Sequence, residues 1–342
     1  MPEEQDNQIE RREPGGINRI SETARRGIDA ARYVAGLVKA QAVSGLPSIV
    51  STDRSYDFLL KWGARGSSEG QFESPTDIAV APDGSVYVAD YRNHRIQRFT
   101  TEGVFVGKWT FPRLQVAWGI PCPHGVTVAS DGSVYVVDRE KTLIQKFTSE
   151  GRLVNQWGTR GTGDGQFEAP YGVAVAPDGS VYVSDLSQSG GGLQKFTSKG
   201  VFVSRWGTRV GEISVEFLHQ RGVVVAPDGS VYVPELGNSR IQKFTSEGVL
   251  VNRWGTRGTG NGQFNNPIGV ALAADGSVYV SDTGNHRIQK FTSEGVFVTK
   301  WGIQGSGDGQ FIRPSGIAVA PDSNVYVADQ INNRIQKFLM VP

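Results

Sequence analysis

Six acidic residues stand at matching places in the chain: Asp90, Asp138, Asp185, Glu235, Asp282 and Asp329. Four of them are followed five residues later by an arginine, namely Arg95, Arg240, Arg287 and Arg334. A carboxylate beside a cation can serve as a general acid or base. Catalysis, however, needs one asymmetric site, whereas a pair that returns at regular intervals answers a need shared by every interval. These pairs are therefore read as structural, the carboxylate accepting backbone N–H groups or pairing with the arginine to fix a turn. The other groups able to do chemistry are His94, His124, His219, His286 and the single cysteine, Cys122. Only His124 lies near Cys122 in sequence, so an inert thiol is expected rather than a nucleophile. One cysteine also excludes a disulfide framework and a thiolate zinc finger.

These residues are carried by a repeat. Trp62, Trp109, Trp157, Trp206, Trp254 and Trp301 follow one another at steps of 47 to 49 residues, and each opens a version of the same phrase. Within a copy, runs such as 172–175, 181–183, 288–291 and 296–301 are rich in Val, Ile, Tyr and Phe and are separated by Pro-Asp-Gly-Ser or Thr-Ser-Glu-Gly turns. The unit is four strands. The first two are apolar on both faces, as in small sheets packed between two neighbours around an axis. The last two carry Gln97, Lys146, Arg205, Arg253 and Lys300, charges and amides that suit outer, edge-protected strands. The recurring Trp residues and the pairs Gln71-Phe72, Gln166-Phe167, Gln263-Phe264 and Gln310-Phe311 are assigned to packing between sheets. The pattern predicts an all-β, six-bladed β-propeller over 57–342. The sixth copy stops after its third strand, and 57–63 reads as the strand that closes the ring.

Asn93-His94-Arg95-Ile96 and Asn285-His286-Arg287-Ile288, with the preceding Val-Tyr-Val and the Pro-x-Gly that opens strand one, resemble the signature of the NHL-repeat propellers. Asn-Ser-Arg at 238–240 and Asn-Asn-Arg at 332–334 keep that signature in part, and copies two and three lose it. The resemblance implies a six-bladed ring with a central channel. It also directs attention to the middle residue of Pro-x-Gly, where NHL-like lyases hold a metal with histidines from several blades. Here the six residues are Thr76, His124, Tyr171, Arg221, Ile268 and Ser315, and Asp77 replaces the first glycine. One histidine cannot supply three imidazoles, so no metal, no cofactor and no catalytic residue are assigned. The irregular loop 111–122 adds Trp118, either a ligand contact or a filler for the Gly-Gln-Phe missing from copy two. The channel-mouth ligand candidates are thus Thr76, Trp118, His124, Tyr171, Arg221 and Ser315.

Lys+Arg number 35 against 34 Asp+Glu, a net charge of +1, so bulk charge implies no polyanionic partner. Propeller connectivity nevertheless gathers Arg65, Arg95, Arg160, Arg209, Arg257 and Arg287 on one face and the Asp-Gly turns on the other. Some NHL domains bind RNA on the corresponding basic face, which makes RNA binding one alternative. Before the propeller, 1–16 reads as a flexible tail, 17–43 as an amphipathic helix and 44–56 as a linker. The helix stripe is Ile17, Ile20, Ala24, Ile28, Ala31, Ala35 and Val38, narrow and small enough to meet another helix or the chain's own propeller. No membrane span or secretory signal is legible, and a cytoplasmic location is expected. The sequence therefore points to a non-enzymatic interaction scaffold with a protein partner at the helix or a propeller face. The alternative enzyme reading is a lyase or hydrolase at the channel mouth.

Overall fold

The computed structural model describes residues 56–111, 121–186, 192–207 and 221–340. The expected tail, helix and linker lie outside these residues, apart from Tyr56, and so do Trp118 and Arg209. Six antiparallel four-stranded sheets surround a central channel as the blades of a propeller. Blade one runs Pro75–Val80, Val86–Asp90, Arg95–Phe99 and Phe105–Thr110, from the channel outwards. Blade two is Pro123–Val128, Val134–Asp138, Leu143–Phe147 and Leu153–Trp157; blade three is Pro170–Val175, Val181–Asp185, Gly192–Phe196 and Phe202–Trp206. Blade four begins with the short Val224–Val225, then Val231–Glu235, Arg240–Phe244 and Leu250–Trp254. Blade five is Pro267–Leu272, Val278–Asp282, Arg287–Phe291 and Phe297–Trp301. Blade six takes Pro314–Val319, Val325–Asp329 and Arg334–Met340 from the end of the chain and Tyr56–Trp62 from its other side. The two outer strands of blade six pair antiparallel, from Tyr56↔Met340 to Trp62↔Ile335.

The second strands explain why both sheet faces are apolar. Side chains alternate along a strand, so Val86 and Val88 enter the seam with blade six, beside Phe72, Phe99, Ala318 and Tyr326. Tyr87 and Ala89 enter the opposite seam, beside Val126, Val134 and Val136 of blade two. Six such cores fill the six seams. Each fully buried Val or Phe there contributes roughly 1.5–3 kcal/mol relative to exposure.

The recurring tryptophans seat the neighbouring blade. Trp62 supports the hairpin glycine Gly103, whose φ of +75° excludes most side chains and whose Cβ would lie 2.7 Å from the indole. Trp109 and Trp157 meet Gly151 and Gly200 in the same way. Blade six has no such hairpin, because its outer strands come from opposite parts of the chain. Tyr56 fills the place, its ring stacked on Trp301 at 3.9 Å and 22°, with its hydroxyl donating to the Tyr279 oxygen at 2.9 Å.

Candidate functional site

The acidic residue that ends each second strand fixes a corner. Asp282 accepts the Asn265 N–H at 2.7 Å, the Asn285 amide at 2.8 Å, Arg287 Nε at 2.7 Å and Gln289 Nε2 at 3.0 Å. Arg287 then donates to the Thr259, Gly260 and Gln263 carbonyls, tying the incoming connection to the blade. Asp90 with Arg95 and Asp329 with Arg334 repeat the arrangement, and Glu235 pairs with Arg240. Burial holds the Asp282 carboxyl above its ordinary range, against the lowering by its hydrogen bonds from Asn265, Asn285 and Arg287 and by the guanidinium charge. In blades two and three the arginine position holds Leu143 and Gly192. One carboxylate oxygen of Asp138 is left buried with no hydrogen-bond partner, and so is Gln145 Oε1.

This network takes two arginines out of the expected basic face. Arg95 and Arg287 are 4% and 6% exposed and donate inwards to a carboxylate and three carbonyls each, so they present no charge to a surface ligand. Arg65 is exposed but lies 3.5 Å from Glu73. Arg160 and Arg257 are exposed.

Blades two to four, by contrast, converge on the channel mouth. Thr76, His124, Tyr171, Arg221 and Ile268 line a cavity of about 20 Å³ there, with Asp77 beneath them. The close approach of successive first strands makes the mouth tight: at Gly172 a Cβ would lie 2.5 Å from the Arg221 carbonyl oxygen. His124 is 5% exposed and sits between Tyr91, at 4.6 Å, and Tyr171, at 4.4 Å between ring centroids. Neither ring nitrogen of His124 has a hydrogen-bond partner. Burial, then the charges of Arg139 and Arg221, hold its pKa down at about 3, so the ring is neutral at physiological pH. Both guanidiniums lie against the Tyr171 ring, Arg221 at 5.0 Å and Arg139 at 5.9 Å. Arg221 Nη1 donates to the Tyr171 hydroxyl at 3.3 Å, and its buried Nε has no partner.

The other two mouth candidates with hydroxyls are spent on the seams. Thr76 Oγ1 donates to the His124 carbonyl at 2.9 Å, and Ser315 Oγ donates to the Pro75 carbonyl at 3.2 Å. Ser315 is therefore turned away from the cavity that the other four line. Sequence reasoning missed Tyr91 and Arg139, which reach the mouth from the second-to-third-strand turns of blades one and two; the departure of Asp138-Arg139-Glu140 from the repeat was the signal.

Below the mouth the first strands enclose a channel of about 200 Å³ with walls of Ala, Val, Leu and Ile. Asp77 is the ionisable side chain among its lining residues. Its carboxylate accepts the Val126 N–H of blade two at 2.9 Å, and enclosure by protein, against that bond, pushes its pKa up to about 7. Cys122 lies 3.4 Å from His94 Nδ1, a neighbour in the folded chain that is remote in sequence. Burial and then the charges of Glu140 and Asp138 push the thiol up to about 11, which keeps it protonated and unreactive. Among the described residues, no group of three or more His, Cys, Asp or Glu is placed to hold a metal ion. Among the same residues no helix is long and apolar enough to cross a membrane.

A family model described as the NHL repeat matches residues 72–99, 121–147, 264–291 and 311–338, within blades one, two, five and six. The chain thus carries four NHL repeats within a six-bladed β-propeller. It is 44% identical over 57 residues to the E3 ubiquitin-protein ligase TRIM32 of Homo sapiens, a stretch covering 17% of this chain and 9% of that one. To protein lin-41 of Caenorhabditis elegans it is 36% identical over 80 residues, 21% of this chain and 7% of the relative. The chain thus spans less than a tenth of the length of these relatives. Virginiamycin B lyase from Staphylococcus aureus has a similar structure, with a TM-score of 0.56 at 15% identity over 82% of this chain and 95% of that one. At that identity the likeness is one of fold.

Proposed function

We propose that this NHL propeller is a non-enzymatic recognition module that receives a protein partner at its channel mouth, with 17–43 as a second partner-binding or self-association element. One observation carries the reading: the repeated polar residues are consumed in blade corners, while the non-repeated His124, Tyr171, Arg139 and Arg221 gather at one mouth with polar atoms left unpaired. Unpaired buried polar atoms are costly, so a cluster of them at an opening favours a ligand that satisfies them. A His held near pKa 3 is too weak a base for chemistry at neutral pH, which argues against a lyase or hydrolase at this mouth. The loss of Arg95 and Arg287 from the surface argues against an RNA-binding face. The human relative is an E3 ubiquitin-protein ligase, a class of enzyme that acts on proteins, which is in keeping with a partner-binding propeller. A cytoplasmic location belongs to the same proposal.

The test compares proteins retained from host extract by the full chain, by an Arg139→Ala/Arg221→Ala variant and by an Ile28→Asp/Val38→Asp variant. A partner lost with the first pair and kept by a folded control substitution at exposed Val251 supports mouth recognition. Retention of every partner by the mouth variant would remove that reading.

A further inference from the structure

The mouth also indicates what kind of group it takes, an inference that rests on the reading of the propeller as a partner-binding module. His124 is enclosed by two tyrosine rings, yet both of its ring nitrogens lack hydrogen-bond partners. A neutral imidazole always has one N–H to donate. Arg221 Nε is a second unpaired donor, and Arg139 reaches the same Tyr171 ring. The site is therefore rich in donors and positive charge. A cation is disfavoured, because the Tyr171 ring already carries two guanidiniums.

The cavity of about 20 Å³ is the size of one water molecule, or one oxygen of a larger group. The donor set calls for an oxygen that carries negative charge. A carboxylate meets this with a single charge, one oxygen inside and one outside, and a planar shape that matches the guanidinium fork. A phosphate dianion brings a second charge towards Asp77, which lines the cavity floor. We propose that the mouth is a carboxylate-binding site for an acidic side chain or C-terminus of a protein partner. One oxygen accepts the His124 N–H, and Arg221 and Arg139 hold the charge.

Asp77 sets the terms of entry. Against it lie the Val126 N–H of blade two and Gly316 of blade six, which has no side chain, and the ionisable groups that line the same cavity are His124 and Arg221. With its pKa near 7, Asp77 is partly protonated at neutral pH, and an incoming anion favours the protonated form. Carboxylate binding is therefore coupled to proton uptake and tightens as pH falls through about 7, down to the range near 4 where free carboxylates protonate.

The full chain, with nitrogen-15 in its histidine rings, gives the test. The His124 signals, assigned with His124→Phe, are followed during titration at constant ionic strength. The probes are sodium acetate, a blocked Glu-containing peptide, its Gln counterpart, sodium chloride and inorganic phosphate. Saturable shifts with acetate and the Glu peptide, absent with the Gln peptide and weakened about tenfold or more in Arg221→Gln and in Arg139→Gln, establish the carboxylate site. A Glu peptide that binds at least about tenfold tighter than acetate assigns the carboxylate to a protein, while equal or weaker binding shifts the source to a small acid and overturns the partner assignment. Equal shifts with chloride, stronger binding of phosphate, or no shift with either carboxylate overturns the proposal. Melting of each arginine variant separates lost binding from lost folding. Retention of a protein partner by a chain that binds no carboxylate would sink this inference and leave the recognition module standing.

Discussion

Blades one, five and six and blades two and three meet the same requirement, a fixed corner between strands two and three, in different ways. The first set uses a buried carboxylate that grips an arginine, an asparagine and a glutamine, and the arginine ties down three connection carbonyls. In the second set the arginine is gone, and Asp138 relies on the Cys122 and Lys141 N–H groups, with one oxygen unpaired. The difference teaches where this ring has room for specificity. A complete corner offers nothing to a ligand, because its carboxylate and guanidinium already have partners in the corner and the incoming connection; blade one reaches the mouth through Thr76, Asp77 and Tyr91 instead. Blades released from that pattern supply His124, Tyr171 and Arg139 to the mouth.

The sharpest way to break this contrast is to impose the loss on a complete corner. Arg287→Leu leaves Asp282 buried beside an apolar group and is expected to cost about 3–5 kcal/mol in urea unfolding of the full chain. Asp138→Asn, in a corner that already lacks its arginine, should change stability by about 1 kcal/mol or less. Equal costs at both positions would mean that the two kinds of corner do not differ.

The mouth can be separated from the corners by pH. The folded-state pKa of Asp77 is raised to about 7 from an ordinary 3.8, so its contribution to stability is full below about pH 4 and is lost as pH rises through about 7. Relative to Asp77→Asn, the wild-type chain should lose roughly 3 kcal/mol between those limits, reduced to the extent that channel water screens the charge. A stability difference that stays constant across that window would show that Asp77 is ionised throughout.

The seam at the closing strand is a third comparison, because Tyr56 replaces a hairpin used by the other blades. Tyr56→Ala removes a ring stacked on Trp301 and a hydrogen bond to Tyr279, and should cost about 2 kcal/mol with a red shift in Trp fluorescence. An unshifted spectrum would show that Trp301 is covered by something else.

The smallest expected effect is a gain. His124→Phe keeps the ring between Tyr91 and Tyr171 and removes two unpaired nitrogens, so stability at neutral pH should rise by about 1 kcal/mol. The variant should also lose the acid sensitivity of the wild type. The His124 pKa is lowered to about 3 from 6.5, so its contribution is present above about 6.5 and is lost as pH falls towards 3. A loss of melting temperature in His124→Phe would mean that the imidazole is part of the packing design and not a vacant ligand position.

The propeller was legible because its cause is local and repeated: turn chemistry, alternation of apolar residues and the Trp register are all visible within 47 to 49 residues. The corner was legible in part. Asp282 and Arg287 lie five residues apart, and a structural pairing follows from that spacing. Their burial does not, since it depends on Thr259, Gly260 and Gln263 folding over the guanidinium from an earlier connection. For that reason the sequence positions of Arg95 and Arg287 alone suit surface charge equally well. At the mouth, Thr76, His124, Tyr171 and Arg221 could be picked out by their shared position in the repeat, and the structure brings them together. Tyr91 and Arg139 also share a position, next to Asp90 and Asp138, but nothing in the sequence shows that this turn reaches over the mouth. Nor does it show the contact between His94 and Cys122, which joins a turn of blade one to the approach of blade two.

The pairing of Tyr56–Trp62 with Arg334–Met340 has a consequence for synthesis on the ribosome. Among the described strands the first pairs with the last, about 270 residues behind it, so at about 5–20 residues per second it waits roughly 15–60 s for its partner. Throughout that interval Tyr56–Trp62 has no sheet to join, while five blades can assemble from contiguous chain. Nascent molecules crowded on one messenger therefore each carry a free strand and, late in synthesis, an open sixth sheet that fits it. Exchange of that strand between two neighbours would complete both rings and link the molecules as a swapped pair.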